Sequence, residues 1–433
     1  MKEESRLVGC LDIGTTKCIA VIGEIGRSGS MRVLAQGRSV SRGVSQGQIV
    51  DVDLAVQSVK EAVSELVRIY HNTLPQFLVT VSGVQVQGRD CSGVQPIRGL
   101  QVTDADIREA EQLALGNLDL DSDERIVKSR RVSYSYRNNT NVEEVLGQNI
   151  TRFTLNMHAA VADAVTCDNL VKTVRRSSLE EAQLIPHGWA SAYAVLTPEE
   201  RYNGAVVIDI GAETTDICVM KGNQPRYTKC IASGGNEITR HLAGFMHCSM
   251  AEAEQIKQRL DMRMLPETES SFITVTQEPT GAPAQFSLYE LSSLVCNQYF
   301  TWVIDIYQDL LDAGWFKLVR DQHGETWPTN HQLPAGVVIT GGGSLIPQAD
   351  FVFQNQAGPF RYSFATRCGS PLYNGDAKIG LTSAKESAVM GLLSYAADEF
   401  KAGRDVLADD VTLRPTLVSR VKGVLKRFLV GDF

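Results

Sequence analysis

The chain has 433 residues, 43% of them hydrophobic and 21% charged, with a formal net charge of −8. That is the composition of a folded globular protein with room for two to four domains. It excludes a generalised nucleic-acid binder, which needs a broad basic surface to neutralise phosphates. The nine cysteines are odd in number, contain no Cys-x-x-Cys pair and sit in apolar runs (Cys10, Cys18, Cys218, Cys230). They read as reduced core thiols of a cytosolic protein rather than as disulfides or a zinc site. The N-terminal MKEESRLVGCLDIG lacks the apolar core of a signal peptide, and no apolar run approaches the roughly 18 residues that span a bilayer.

Residues 8–22, VGCLDIGTTKCIAVI, predict a β-hairpin. At its turn Gly14 leaves backbone N–H groups uncovered, Thr15 and Thr16 add hydroxyl donors, and Lys17 reaches forward, which together suit phosphate oxygens. Asp12 beside them is unfavourable next to bare phosphate and sensible if a hydrated Mg²⁺ lies between. Strands KCIAVIGEI and MRVLAQGRSV follow. Val59, Ala62, Val63, Leu66, Val67 and Tyr70 then recur at helical spacing over 53–70. Thr103 is placed to cap a helix beginning at Asp104, and RRVSYSY and TRFTLNMH predict strands.

Residues 206–220, VVIDIGAETTDICVM, repeat the first hairpin, with Asp209, Gly211, Thr214 and Thr215 in the corresponding places. One such turn occurs in any β protein. Two of them, about 200 residues apart, predict duplicated lobes whose turns clamp one phosphate tail, with Asp12 and Asp209 holding Mg²⁺ through water. PRYTKCIAS, the turn Gly234-Gly235-Asn236 and a helix from about Glu237 extend the repeat. In AEAEQIKQRL (251–260), Glu254 and Lys257 share a helix face. They form either a solvated ion pair or a nucleoside contact, Glu254 accepting from ribose hydroxyls and Lys257 lying against adenine. AGVVITGGGSLIPQADFVF (335–353) runs a strand into Gly341-Gly342-Gly343 and then a helix, bare backbone at a helix start.

In the tail, Leu417, Val418, Val421, Val424, Leu425, Phe428 and Leu429 make one apolar face, and Arg420, Lys422, Lys426 and Arg427 fill the remainder. Such a helix is a membrane anchor, a helix packed on its own domain, or a partner-binding segment.

DIGTT, a second DIGxxTTDI, AExIK and a late TGGG, in that order, resemble the actin-like ATPase superfamily of actin, MreB, the seventy-kilodalton chaperones and sugar kinases. LVTVSG (78–83), LVKTVRRSSLEEAQLIPHGWASAYAVLTPEER (170–201), GVVITGGGSLI (336–346), SAVMGLLSYA (387–396) and the C-terminus carry a closer likeness to the FtsA family of bacterial cell-division proteins. The resemblance implies an α/β, actin-like (ribonuclease H-like) two-lobed fold with an inserted 1C-type subdomain in the first lobe and a C-terminal amphipathic helix. Its divisions would be 1A over 1–82, 162–198 and 375–398, 1C over 83–161, 2A over 199–231 and 305–374, and 2B over 232–304. A linker at 399–415 would lead to a membrane-targeting helix at 416–433.

The likeness further implies ATP and Mg²⁺ between the lobes, the C-terminal peptide of FtsZ on 2B, self-association into filaments, contacts with other division proteins and lipids, and no nucleic acid. It places the protein in the cytoplasm, peripheral on the inner face of the cell membrane at the division site. A pilus-assembly actin relative and a small-molecule kinase are the alternatives on this fold.

Three departures stand out. Ala212-Glu213 replaces the Gly-Gly usual in FtsA-like sequences, and a like charge at roughly 5 Å from phosphate costs about 3 kcal/mol in an effective dielectric of about 20, so Glu213 is expected to point away. His187-Gly188 stands where MreB-like relatives carry a glutamate before a proline. A neutral imidazole there can orient water, but a loop histidine without catalytic part is favoured, with ATP turnover slow or absent. Val295-Cys296-Asn297 replaces the family's Pro-Arg and acidic residues, so FtsZ contacts do not carry over.

Overall fold

Val8 to Leu11 is a run without a charged residue, as expected of a strand covered on both faces, and it lies in the middle strand of the first sheet. The computed structural model describes residues 4–180, 182–263, 270–320, 326–329, 332–354, 365–373 and 381–407. The chain starts with β1 (Ser5–Ile13), β2 (Lys17–Gly26), β3 (Met31–Val40), the small hairpin β4 (Val44–Ser45) and β5 (Gln48–Ile49), α1 (Val52–Val67) and β6 (Phe77–Val81). An inserted block follows: β7 (Gln87–Pro96), α2 (Asp104–Gly116), β8 (Glu124–Tyr136), β9 (Asn139–Val142) and β10 (Arg152–Asp163). Then come α3 (Ala164–Arg176), β11 (Ala182–Pro186), α4 (His187–Val195) and α5 (Pro198–Asn203).

The second half contains β12 (Ala205–Ile210), β13 (Thr215–Lys221), β14 (Gln224–Ile231), α6 (Gly235–Met246), α7 (Met250–Lys257), β15 (Phe272–Thr276), β16 (Pro283–Ser287) and α8 (Leu288–Asp312). It closes with β17 (Lys317–Arg320), β18 (Thr326–Thr329), β19 (Val337–Thr340), α9 (Ala349–Gln354), β20 (Thr366–Cys368) and α10 (Ser387–Lys401).

The duplication is visible in the strand order. In the first sheet β3-β2-β1 is an antiparallel meander, to which β6 and β11 add in parallel. In the second, β14-β13-β12 is the meander, and β19 and β20 add in parallel. Parallel addition needs a crossover, and helices supply it each time. The inserted strands, ordered β7-β10-β8-β9, join the free edge of β14 through the pair Lys229↔Gln87. A block that interrupts the first lobe in sequence thus extends the sheet of the second.

Helices α4 and α10 lie between the two sheets. Their buried residues Trp189, Ala190, Leu393 and Tyr395 share one core with Val8 and Ile19 of the first sheet and Val207 and Cys218 of the second. Gly391 is what allows this crossing, because a Cβ there would occupy the Ala190 carbonyl. Separate cores fill the outer faces, Val59, Ala62 and Leu66 of α1 under the first sheet and Leu242, Tyr299 and Tyr307 of α6 and α8 under the second.

Several expectations shift in detail. Helix α1 stops at Val67, which is 41% exposed, while Tyr70 packs into the core from beyond the helix end. Asp51 caps its start, Oδ1 accepting from the amides of Asp53 and Leu54 at 2.9 and 3.0 Å. Thr103 caps α2 as expected, and Asp106 makes the capping box reciprocal. After Gly341 the chain makes one 3-10 turn, Gly342–Leu345, rather than a helix, and α9 begins only at Ala349. The divisions expected at 304 and 398 fall inside α8 and α10, which run unbroken.

Nor does a free linker start at 399. Glu399 is buried and pairs with Arg404 at 2.7 Å, Asp405 pairs with Arg6 at 2.5 Å, and Val406 and Leu407 are buried. The amphipathic tail at 416–433 lies outside the described residues, together with all its apolar and basic positions. Among the described residues no helix is long and apolar enough to cross a membrane.

Candidate functional site

The two hairpin turns are geometric copies. Gly14 N–H donates to the Lys17 carbonyl at 3.0 Å, and Gly211 N–H donates to the Thr214 carbonyl at 2.8 Å, each closing a four-residue loop at the end of a buried strand. Because the sheets face each other across α4 and α10, the loops open into one interlobe cleft of about 740 Å³, the size of a nucleotide-class pocket. A second concavity of about 530 Å³ runs along the outer face of α1 past Asp53, Lys60, Glu61 and Arg68. Its lining is one helix surface of mixed charge, whereas groups from both lobes converge on the cleft.

Of the residues singled out in the sequence, Asp12, Gly14, Thr15, Thr16, Lys17, His187, Asp209, Gly211, Thr214, Gly235, Asn236, Glu254, Lys257, Gly341, Gly342 and Gly343 all line this cleft. Two do not. Thr215 is buried, and its hydroxyl donates to the Ser233 carbonyl at 2.8 Å. Gly234 stacks against the second turn, where a Cβ would lie 2.7 Å from the Ala212 carbonyl carbon. Its neighbours brace that turn, Gly235 N–H donating to Gly211 O at 2.9 Å and Asn236 N–H to Ala212 O at 2.8 Å.

At the cleft floor His187 is neither in a loop nor free. It is the first residue of α4, its side chain 17% exposed, with Nε2 3.2 Å from Asp209 Oδ2 and Nδ1 3.5 Å from Asp12 Oδ1. Thr80 donates to Asp12 at 2.7 Å, and Ser191, one turn along α4, donates to Asp209. Burial alone would push the imidazole down. Asp209, Asp12 and Asp216 outweigh it and hold the ring well above its ordinary value. Burial would likewise raise Asp12, but His187, Lys17 and the Thr80 hydrogen bond hold it below the usual carboxylate range. Asp216, paired across the hairpin with Asp209, is pushed up to about 6 by burial although Ser82 donates to it at 2.8 Å.

Glu254 and Lys257 are an ion pair of 2.6 Å, but not a solvated one: Lys257 is 5% exposed. Its Nζ also donates to the Gly235 carbonyl at 2.9 Å and to Thr239 Oγ1 at 2.8 Å, pinning α7 to the start of α6. Burial pushes Lys257 down, while hydrogen bonds from Lys257 and Thr239 hold Glu254 low against its own desolvation. Gly341 has φ +84, and a Cβ there would strike Asp209, so glycine is required for the strand to turn at the cleft wall. Glu213 faces away from the cleft lining, its carboxylate accepting from Ser45 Oγ at 3.1 Å and Gln46 N–H at 2.8 Å.

Sequence reading missed Thr80 and Ser82, Gly47 and Ile49 of the β4–β5 hairpin, and Lys385, all in the lining. The polar ends of LVTVSG, hydroxyls closing an apolar strand, were the available signal for the first pair. Nothing local marks Lys385. Its backbone carbonyl receives Lys17 Nζ from the other end of the chain.

Comparison with known proteins agrees with this geometry. Residues 206–394 match the family model "Cell division protein FtsA". The chain is 28% identical to the FtsA of Pseudomonas aeruginosa over 80% of each protein, and 27% identical to that of Escherichia coli K12 over 94% of each. Among solved structures, a PilM-PilN type IV pilus biogenesis complex aligns with TM-score 0.58 at 14% identity, covering 89% of this chain and 97% of that one. MreB5 of Spiroplasma citri bound to ADP aligns at 0.54 and 14% identity, covering 92% and 98%. The MamK double helical filament aligns at 0.51 and 13%, covering 90% and 98%. These structural likenesses establish the actin-like fold, and on it the chain is similar in sequence, over most of its length, to the FtsA family of cell-division proteins.

Proposed function

We propose that the protein is an ATP-binding, actin-like division protein that assembles into filaments on the inner face of the cytoplasmic membrane at the septum and tethers FtsZ polymers there. The observation that carries the nucleotide part is the pair of matched turns meeting in one cleft. Around it stand the chemical groups a nucleoside triphosphate needs. Turn backbone without bulky side chains lies at Gly14, Gly211 and Gly342, the Thr15, Thr16 and Thr214 side chains border it, cations stand at Lys17, Lys257 and Lys385, and the Glu254 carboxylate is within the same walls.

A hydrated Mg²⁺ fits the same floor. His187, Thr80 and Ser191 engage Asp12 Oδ1 and Asp209 Oδ2, which leaves Asp12 Oδ2 and Asp209 Oδ1 without a hydrogen bond among the described residues. When bound, the cation would screen phosphate charge from the two carboxylates. Turnover is expected to be weak. A general base needs a free lone pair within reach of water, and both ring nitrogens of His187 already face carboxylates. Nucleotide then acts as a ligand that favours the closed, polymerising shape over the open one.

The name of the MamK filament supports self-association, and FtsA relatives support division partners, with FtsZ's C-terminal peptide taken by the region around α6, α7 and the first half of α8. The basic, amphipathic composition of residues 416–433 supports membrane attachment, strengthened through multivalency when many copies align. Sedimentation with anionic vesicles tests the reading. The intact chain should pellet, more so with ATP, and a chain lacking 416–433 should stay in the supernatant while still binding ATP. An intact chain that never pellets ends the tether reading.

A further inference from the structure

The β4–β5 hairpin belongs to the first lobe, and its two-residue turn has positive φ at both Gln46 (+48) and Gly47 (+76). That is the geometry of a type I′ turn, in which a residue other than Gly, Asn or Asp at the first position is disfavoured. The turn is held from the opposite lobe. Glu213 Oε2, on the second phosphate loop, accepts from the Gln46 amide at 2.8 Å and from the Ser45 hydroxyl at 3.1 Å. Beneath, Gly47 lies so close to the end of β6 that a Cβ would be 2.8 Å from Gly83 N. Gly47 and Ile49 then form part of the cleft wall. Both donors to Glu213 are neutral, so the contact is charge-assisted without being an ion pair and resists the salt that screens surface pairs.

We propose that Glu213 is a positioning residue of the nucleotide site: it ties the second phosphate turn to the β4–β5 hairpin and thereby sets how fast nucleotide leaves the closed cleft. The proposal rests on the reading of the cleft as a nucleotide site. Parting the lobes at this edge must break both hydrogen bonds to the carboxylate. Entry occurs with the lobes already apart, so association is left nearly unchanged.

The test is stopped-flow release and binding of a fluorescent ATP analogue on the full chain, with Glu213→Ala, Glu213→Gln and Ser45→Ala. Glu213→Ala, which removes both hydrogen bonds, should release the analogue at least about tenfold faster, the low-end value of a single charge-assisted hydrogen bond, with association within about twofold of the parent. Glu213→Gln keeps one acceptor oxygen and should fall between. Ser45→Ala combined with Glu213→Ala should be no faster than Glu213→Ala alone, because the hydroxyl acts through the carboxylate. Hydrogen exchange of residues 44–49 should rise in Glu213→Ala even without nucleotide. Binding by the parent with unchanged release in Glu213→Ala overturns the positioning role alone. Failure of the parent to bind the analogue overturns the nucleotide reading and this role with it. If Glu213→Ala does not fold, parent-like release in Glu213→Gln together with parent-like exchange at 44–49 overturns the role.

Discussion

At the cleft floor one imidazole separates two carboxylates that come from different lobes. Facing an acceptor with each nitrogen, His187 is satisfied only when both carry protons, which agrees with the upward push from Asp209, Asp12 and Asp216. The pH consequence follows from linkage. A histidine raised in the folded state contributes stability that is full below the unfolded value of about 6.5 and is lost as pH rises through the higher folded value. His187→Ala should remove that pH dependence and, at neutral pH, lower the unfolding free energy by about 3 kcal/mol, the cost of leaving buried charges without their partner. Urea unfolding across a pH series measures both, and Mg²⁺ should recover part of the loss in the variant more than in the parent. The motif reading had Asp12 and Asp209 as neighbours of one ligand, but could not show what stands between them. His187 precedes Asp209 by 22 positions and follows Asp12 by far more, and only the crossing of α4 between the sheets brings the three together.

Among the elements, α4 and α10 decide the architecture. Neither shows a one-sided apolar stripe: α4 reads HGWASAYAV, with eight of its nine residues buried. A helix buried all round belongs between layers, and small residues (Gly188, Ala190, Ala192, Gly391) let backbones approach there. Gly391→Val should therefore be among the most damaging changes in the protein, costing about 3 kcal/mol or more through overpacking against Ala190, read as a drop in the denaturant midpoint at unchanged slope. By contrast, α1 was legible because its buried positions recur on one face, and α2 because Thr103 announces its start. The glycine run at 341–343 misled in a different way. Its pattern predicts a helix start, and the positive φ at Gly341 delivers the chain into a 3-10 turn instead, setting the cleft wall without a helix dipole behind it.

Considered whole, the molecule is two copies of one five-strand topology around a shared helical layer, with a third sheet segment fused to the edge of the second copy. Because a single core spans both sheets, the lobes should unfold together. ATP at about 100-fold excess over its dissociation constant should raise the unfolding free energy by about 2.7 kcal/mol. Thermal melts followed by two probes, one in each lobe, should shift as a single transition. Two transitions, of which one ignores nucleotide, would contradict the shared core. The segment after α10 also gains a role at this scale. Arg404 on Glu399 and Asp405 on Arg6 hold the chain up to Leu407 beside both α10 and β1.

The sequence by itself determined the repeat, and with it the fold. DIGTT and DIGAETT each demand a buried strand, an open turn and a returning strand, and local glycine and threonine chemistry carries that information without help from distant residues. It also indicated the turns and glycines that make up about half of the cleft lining, since residues at strand ends of a duplicated α/β sheet have one place to point. What only the tertiary structure decided are the contacts made across the lobes: His187 between Asp12 and Asp209, Lys17 on the Lys385 carbonyl, and Glu213 on the hairpin at Ser45 and Gln46. Such contacts depend on how two sheets pack against α4 and α10. A charge such as Glu213, read as repulsive toward phosphate from its position in the loop, is turned outward by that packing to hold the opposite lobe.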